Sequence, residues 1–207
     1  MIVIGVAGGI ASGKSIVCRV FESLGGIIIN ADHVGHETLD TPQVQEALVR
    51  VFGPEILGSD GKIVRSALGK VVFSDPAARK RLDAIVHPPL VGEIHRRIKA
   101  QRVAGFDGAV VVDAALIVEW DEMDMVDALV IVTASRSKRI SWLMARTNLS
   151  EQEATQRVDA QLTDNERLRW ADHVIENNSS TSDLEAKARE VWERIISRLA
   201  GDNIPGV

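Results

Sequence analysis

Residues 8–15 read Gly8-Gly9-Ile10-Ala11-Ser12-Gly13-Lys14-Ser15, which is a glycine, four residues, and then Gly-Lys-Ser. Glycines in such a loop let backbone N–H groups turn toward an anion with no Cβ in the way. Lys14 then offers an ammonium group to the outer phosphates of a nucleotide, and Ser15 offers a hydroxyl to Mg²⁺. The stretch predicts a phosphate-binding loop, whose contacting residues would be Gly8, Gly9, Ile10, Ala11, Ser12, Gly13, Lys14, Ser15 and Ile16.

The sequence on either side of this loop agrees with the prediction. Residues 2–7 form a short apolar run typical of a buried strand, and residues 15–24 predict a helix that ends at Gly25-Gly26. Bound phosphates would therefore lie on a helix N-terminus, where the macrodipole favours negative charge. The alternative is a glycine-rich turn with an exposed lysine.

The composition indicates one globular α/β domain. The chain has 207 residues, of which 45% are hydrophobic and 26% are charged, and no apolar run reaches membrane-spanning length. A net charge of −5 disfavours a surface that wraps nucleic acid. The single cysteine, Cys18, suits a reducing cytosol and is expected to be a buried apolar residue. We expect no secretory signal, a cytoplasmic location, no nucleic-acid or membrane partner, and a monomer or weak homo-oligomer.

Short apolar runs alternate with helical patterns along the chain, which is typical of parallel strands joined by helices. Strands are predicted at 2–7, 26–30, 109–113, 128–133 and 173–177. The predicted fold is a three-layer α/β/α arrangement of the kind that phosphate-loop (P-loop) nucleotide-binding proteins share, with a parallel five-stranded sheet.

The segment between the second and third strands is predicted to be helical. Helices are expected over 42–52, 65–73, 76–86 and 89–104, and their starts are marked by Thr41-Pro42, Ser74-Asp75-Pro76 and His87-Pro88-Pro89. This much helix exceeds one crossover, so residues 32–105 are predicted to form an inserted substrate-side subdomain. The nucleotide core would then comprise residues 1–31, 106–135 and 171–200.

Helical patterns also dominate the last third of the chain. A basic helix is expected over 135–147, and a capping box of Ser150 and Glu153 predicts another helix that runs to about residue 162. Residues 136–165 would form a lid. A second capping box, of Ser182 and Glu185, predicts the last helix, and residues 201–207 are expected to be a polar tail.

Asp32 is the best candidate for a base that accepts a proton from a substrate hydroxyl. It follows the second predicted strand directly, so we expect it at the carboxyl-end rim of the sheet, where open α/β sheets bind ligands. An N-cap for the next helix is the alternative explanation of an Asp at this position.

Asp113 ends the third predicted strand, at the position where phosphate-loop enzymes hold a carboxylate near magnesium. Ser15 and Asp113 are therefore the predicted magnesium-site residues, and a turn residue at the end of a strand is the alternative for Asp113. The five histidines show no ligand-like spacing, so we expect no zinc site.

Several basic residues could stabilise the charge that develops during phosphoryl transfer. They lie on the predicted basic helix and on the next one, namely Arg136, Lys138, Arg139, Arg146 and Arg157. The alternative is a set of surface arginines balanced by Glu151, Glu153 and Asp159.

Five stretches of the chain together resemble the dephospho-CoA kinase family, and the resemblance covers nearly the whole sequence. The first stretch is the loop at 4–15, and the second, at 30–36, is similar to the family's Asp-Ala-Asp-x-x-x-His. The others are His87-Pro88, Arg157-Val158-Asp159-Ala160-Gln161 and Ala171-Asp172-His173-Val174-Ile175-Glu176-Asn177. The loop alone is shared by many kinases, whereas the combination is much more specific.

The resemblance implies transfer of the γ-phosphate of ATP, with Mg²⁺, to the ribose 3′-hydroxyl of dephospho-CoA, the last step of coenzyme A synthesis. It implies Asp32 as the base and Lys14 as a phosphate ligand, with Arg139 or Arg146 steadying the transferred group. Other small-molecule kinases and a catalytically weak nucleotide-binding regulatory module are the alternatives.

The chain departs from the family pattern at four places. Asp113-Ala114-Ala115-Leu116-Ile117-Val118-Glu119 lacks the usual proline and phenylalanine. Trp142 replaces a usual arginine, Arg139 a usual glutamine, and Ile16 a common threonine. The first three bear on the lid and on turnover, whereas the phosphate-binding loop and Asp32 match the family.

Overall fold

The computed structural model describes residues 1–73 and 75–201, and within them five strands form one sheet. The strands are β1 (Ile2–Ala7), β2 (Ile27–Asn30), β3 (Ala109–Asp113), β4 (Ala128–Thr133) and β5 (His173–Glu176). Their order across the sheet is β2-β3-β1-β4-β5, and they run parallel. The predicted parallel sheet with flanking helices is confirmed.

The register of the sheet explains why functional groups gather at one end. Val6 lies level with Asp113 of β3 and with Val130 of β4. The chain leaves β1 one residue later, so the loop at 8–13 begins beside the carboxyl ends of both neighbouring strands. The residues of β1, β3 and β4 are all buried, as expected for strands covered on both faces.

Two helices, α1 (Lys14–Ser23) and α9 (Thr181–Gly201), pack on this sheet through one apolar cluster. Val17 and Phe21 of α1 join Leu184, Val191 and Trp192 of α9 in that cluster. The Phe21 and Trp192 rings lie 5.2 Å apart at a tilted angle, a favourable aromatic geometry. The side chain of Leu199 and the tail at 202–207 lie outside the described residues.

Residues Asn30–Lys99 form a second compact unit, distinct from the unit of 1–29 and the described residues from 100 onward. It contains α2 (Ala31–Leu39), α3 (Pro42–Phe52), α4 (Arg65–Phe73) and most of α5 (Pro76–Val103). Its apolar cluster includes Leu48, Phe52, Ile56 and Leu68, which are buried. Beyond Asn30, which ends β2, the described part of this unit holds no named strand, only a single bridge between Leu57 and Ile63.

Helix α5 contradicts the prediction that His87-Pro88-Pro89 starts a new helix. The helix is continuous through both prolines, although neither ring nitrogen can donate to the preceding turn. Leu82, Ile85 and Val86 pack on the apolar cluster before the prolines, and Leu90 and Ile94 are buried after them. Packing on both sides therefore outweighs the local preference for a break. Ser74 lies outside the described residues.

The remaining elements are α6 (Arg136–Arg146), α7 (Glu151–Asp159) and α8 (Asp164–Leu168). The capping box of Ser150 and Glu153 is present, but α7 ends at Asp159, short of residue 162. The prediction missed a further capping box, of Thr163 and Glu166, that opens α8.

The predicted capping box at the start of the last helix is wrong. Helix α9 begins at Thr181, and the Ser180 hydroxyl accepts a hydrogen bond from the Asp183 N–H at 3.2 Å. Ser180 offers the same chemistry as Ser182 one half-turn earlier, so the cap forms there.

Candidate active site

The phosphate-binding loop adopts a backbone that requires its small residues. Gly13 has φ +100° and Ala11 has φ +61°, both in the left-handed region. The loop tightens through a hydrogen bond from Ser12 N–H to the Gly9 carbonyl at 3.0 Å. Helix α1 starts at Lys14, so the free N–H groups of its first turn lie directly behind the loop.

Asn177, just after β5, holds the loop from behind. Its side-chain amide donates to the Ser12 carbonyl at 2.9 Å, and the residue is buried. A Cβ at Gly13 would overlap that amide and would lie 3.0 Å from the Leu184 side chain. The space behind Gly13 is therefore full, and only glycine fits there.

Lys14 and Asp113 form an ion pair at the base of the loop. Cys18, one turn along α1, is buried beside them. Burial, and then the charge of Asp113, raise the pKa of the Cys18 thiol, which Lys14 opposes. The thiol therefore stays protonated near neutral pH, and this removes it as a nucleophile.

A cavity of about 360 Å³ opens beside the start of α1. Loop residues form one wall, and residues of α6 and of the 177–181 segment form others; the lining includes Gly13, Ser15, Ile16, Trp142, Arg146 and Asn177. Arg146 and Trp142, the residue that replaces the family's usual arginine, therefore line the same cavity as Ser15. Arg146 is exposed.

Arg139 lies on the same helix but is only 4% exposed. Its Nε donates to the Ile10 carbonyl at 3.0 Å, Nη2 donates to the Gln161 side-chain oxygen at 3.2 Å, and Nη1 donates to Asp164 Oδ1 at 3.3 Å. Burial lowers the pKa of Arg139, and the Asp164 carboxylate opposes that shift. Its donors are directed at the loop and at the 161–164 segment.

The other basic residues of α6 make surface contacts. Arg136 pairs with Asp159 through two hydrogen bonds of 2.7 and 2.6 Å, and this pairing raises the pKa of Arg136. Lys138 donates to the Asn178 carbonyl. For Arg136 the structure therefore supports the alternative explanation, a surface arginine whose charge is balanced by an acidic residue.

Asp32 is exposed in the first turn of α2. The N-cap of that helix is Asn30, whose side-chain oxygen accepts from the His33 N–H at 2.8 Å. The alternative in which Asp32 serves as the N-cap is therefore wrong. The Asp32 carboxylate is therefore available for a role other than capping α2.

Gln161 and Asn177 contact the loop, yet neither was singled out as a site residue from the sequence. Gln161 Oε1 accepts from the Ile10 N–H at 2.7 Å. Both residues lie in stretches that carry the family resemblance, and that was the only signal available. Their partners are 151 and 165 residues away along the chain.

The residues present fit a bound nucleotide phosphate with magnesium. Ser12 Oγ is buried and has no hydrogen-bond partner among the described residues, so the loop holds a donor that remains to be satisfied. Ser15 lines the cavity, and next to it in the chain Lys14 is paired with the Asp113 carboxylate. An oxygen-rich set of this kind suits Mg²⁺.

No helix among the described residues has the length and apolar character needed to cross a membrane. Within the same residues, no group of three or more His, Cys, Asp or Glu side chains is placed to hold a metal ion.

Comparison with known proteins identifies the family of the chain. The family model described as "CoaE: Dephospho-CoA kinase" matches residues 2–183. A dephospho-CoA kinase of Moorella thermoacetica is 39% identical, with 100% of this chain and 98% of that protein covered.

Solved structures give the same result. The crystal structure of TT1252 from Thermus thermophilus aligns with a TM-score of 0.75 at 31% identity, covering 94% of this chain and 97% of that one. A dephospho-CoA kinase from Campylobacter jejuni aligns with a TM-score of 0.64 at 27% identity, covering 93% and 96%. The family model spans most of the chain and the Moorella relative spans all of it, and the chain belongs to the dephospho-CoA kinase family.

Proposed function

We propose that this enzyme transfers the γ-phosphate of ATP to the ribose 3′-hydroxyl of dephospho-CoA, giving coenzyme A and ADP. The observation that carries the proposal is the cavity in which Ser15 and Gly13 of the phosphate-binding loop meet Arg146. A helix N-terminus, a hydroxyl and an exposed cation thus surround one cavity.

The loop residues of 8–16 would bind the nucleotide. The phosphate oxygens would accept from the Lys14 ammonium and from loop N–H groups other than those of Ile10 and Ser12, which already have partners. Lys14 would exchange its contact with Asp113 for the phosphates. Ser15 would bind Mg²⁺ directly, and Asp113 would accept hydrogen bonds from its water ligands. The ion, when bound, neutralises charge on the β- and γ-phosphates.

Asp32 would accept the proton of the 3′-hydroxyl as that oxygen attacks the γ-phosphorus. The new O–P bond forms while the bond from the γ-phosphorus to the ADP oxygen breaks, and the proton remains on Asp32. Its exposure and its freedom from capping support this role. Arg146 would stabilise the transferred group, because it lies beside the cavity and is exposed.

The cavity also offers an apolar ring. Trp142 lines it next to Arg146, and the nucleoside of ATP would pack against that indole. We further propose residues 32–105 as the substrate-side insertion and 136–165 as the lid. We also propose a cytoplasmic location, which the single free cysteine fits, and a monomer or weak homo-oligomer.

Turnover of purified protein with ATP, Mg²⁺ and dephospho-CoA tests the proposal. We expect ADP release that depends on dephospho-CoA, and a product whose new phosphate is assigned to the 3′-oxygen by phosphorus NMR. Shikimate, gluconate and nucleoside monophosphates serve as competing acceptors. If one of these acceptors is phosphorylated in preference to dephospho-CoA, that acceptor replaces dephospho-CoA as the proposed substrate. If the protein binds nucleotide but phosphorylates none of the acceptors, a regulatory module is favoured.

A further inference from the structure

Both backbone groups of Ile10, in the middle of the phosphate-binding loop, are held by side chains from distant parts of the chain. The N–H donates to Gln161 Oε1 at 2.7 Å, and the carbonyl accepts from Arg139 Nε at 3.0 Å. Gln161 Oε1 also accepts from Arg139 Nη2 at 3.2 Å, so the two side chains are bonded to each other. Three groups thus close a ring of hydrogen bonds on one residue of the loop.

Asp164 fixes the orientation of Arg139 from the far side. Its Oδ1 lies 3.3 Å from Arg139 Nη1 and 3.7 Å from Arg167 Nη1. Arg167 is 0% exposed and donates to Glu119 Oε1 at 2.5 Å and to the Leu162 carbonyl at 2.6 Å. We name Arg139, Gln161 and Asp164 the loop clamp; Arg167 and Glu119 connect it to the segment that follows β3.

The guanidinium of Arg139 covers the loop closely. A Cβ placed on Gly9 would overlap its guanidinium atoms, so the arginine lies against the backbone with no room for a side chain between them. Each of its three nitrogens has a partner within 3.3 Å. Contact with a transferred phosphoryl group would require those bonds to break.

The next residue explains why the loop needs such a clamp. Ala11 holds φ +61°, a conformation that costs a residue with a Cβ free energy and persists only when its surroundings enforce it. Gln161 also accepts the hydrogen bond of the Ile10 N–H. That N–H is therefore not available to bind an anion, and other N–H groups of the loop remain for that role. A binding site whose donors are already oriented loses less free energy on binding.

We propose that Arg139 and Gln161 are positioning residues that hold the phosphate-binding loop in its binding conformation before nucleotide arrives. The proposal rests on the proposed function only in taking the loop as the nucleotide site. It assigns Arg139 to the loop and leaves Arg146 as the arginine for the transferred group. Asp164 orients Arg139 for this task.

Calorimetry with Mg-ADP tests the clamp without any acceptor substrate. We expect Arg139→Ala and Gln161→Ala each to weaken Mg-ADP binding about tenfold and to raise KM for ATP, with kcat at saturation changed less than about threefold. The double variant should bind no more weakly than about twentyfold below the wild type, because both side chains hold one residue. Unchanged Mg-ADP affinity together with a hundredfold fall in kcat would overturn the proposal.

Two further variants separate loop positioning from general stability. Gln161→Glu keeps an acceptor for both Ile10 N–H and Arg139, so Mg-ADP affinity should stay within about threefold of the wild type. Arg194→Ala removes an exposed arginine paired with Glu190 on α9 and should change neither Kd nor KM. If Gln161→Glu binds as weakly as Gln161→Ala, the clamp is wrong.

The same data distinguish the clamp from the substrate assignment. Wild-type protein that binds Mg-ADP but does not phosphorylate dephospho-CoA would refute the proposed substrate, while the affinities of the variants still decide the clamp. Wild-type protein that does not bind Mg-ADP would overturn both. Melting temperatures without ligand identify any variant that fails to fold, and Gln161→Glu then carries the test.

Discussion

The phosphate-binding loop and the start of α2 carry the two halves of the proposed chemistry, and they are built in different ways. The loop is held by side chains from α6, from the segment after α7 and from the residue after β5, and two of these residues, Arg139 and Asn177, are buried. Asp32 sits exposed on a short helix whose start is fixed by one local cap, from Asn30. The binding half therefore depends on tertiary contacts, whereas the proposed base depends on its own helix.

The largest effect is expected from Asp32→Asn, which keeps the shape of the side chain but removes the proton acceptor. Turnover should fall by about 10²–10⁴-fold, the usual worth of a positioned general base. Mg-ADP affinity should be unchanged, because the loop is built independently of α2. Coupled ADP-release kinetics and calorimetry measure the two quantities.

Asp40→Asn, at the other end of α2, is the matched control and should keep wild-type turnover. An Asp32→Asn enzyme that retains most of its activity would show that the base lies elsewhere.

The second prediction concerns a substitution within the phosphate-binding loop. Gly13→Ala places a Cβ against the Asn177 amide and forces an alanine to φ +100°, at a cost of about 1–3 kcal/mol in the free energy of unfolding. We also expect Mg-ADP affinity to fall by more than about tenfold, because Asn177 loses its bond to the Ser12 carbonyl. Thermal melting and calorimetry measure both effects.

Gly25→Ala offers a matched control for this change. Gly25 has φ +97°, and a Cβ there would meet nothing within 4 Å. The Gly25→Ala variant should lose about as much stability from backbone strain as Gly13→Ala does, but it should keep the wild-type affinity for Mg-ADP. Equal losses of affinity in the two variants would mean that strain, and not the contact with Asn177, governs binding.

A smaller effect is expected where the local cap of α2 is removed. Asn30→Ala should lower the free energy of unfolding by about 1 kcal/mol, since the His33 N–H loses its acceptor. Turnover should fall as the first turn frays around Asp32, while Mg-ADP affinity holds. Denaturant unfolding measures the loss of stability, and enzyme kinetics measures the loss of turnover.

Asn30→Asp retains a capping oxygen and should restore both stability and turnover. A loss of Mg-ADP affinity in Asn30→Ala would contradict the independence of the two regions.

The smallest effect concerns an ion pair within the second unit. Glu93 accepts from Arg96 Nε at 2.6 Å and from Arg97 Nε at 2.8 Å, and these bonds lower its pKa from 4.5 to about 2. A lowered pKa in the folded state means a stabilisation that is complete above pH 4.5 and is lost as pH falls toward 2. Glu93→Gln should therefore be less stable than wild type at pH 7, with the difference shrinking across that window.

Glu190→Gln removes a surface pair with a 3.4 Å separation whose side chains are each 64% exposed. It should change stability little at any pH. A pH-independent difference for Glu93→Gln, measured by urea unfolding, would refute the electrostatic origin.

Local sequence signals predicted most of the secondary structure. The strands β1, β3 and β4 and the helices α3 and α4 have the predicted bounds, because their apolar periodicity and their end signals agree. Prediction failed at Pro88 and Pro89, where packing on both sides keeps α5 continuous, and at Ser182, where Ser180 supplies the cap instead. In both places two structures satisfy the local rules, and for α5 the packing on either side of the prolines selects one.

The sequence by itself determined the phosphate-binding loop, the strand pattern and the family, because glycine spacing, apolar runs and short motifs act over a few neighbouring residues. Only the tertiary structure decided what two arginines on one helix do: Arg139 turns inward to the Ile10 carbonyl, and Arg146 stays at the cavity. The bond from Arg139 to Ile10 spans 129 residues of chain. Partners so far apart in the chain meet only in the folded structure, so no local pattern encodes them.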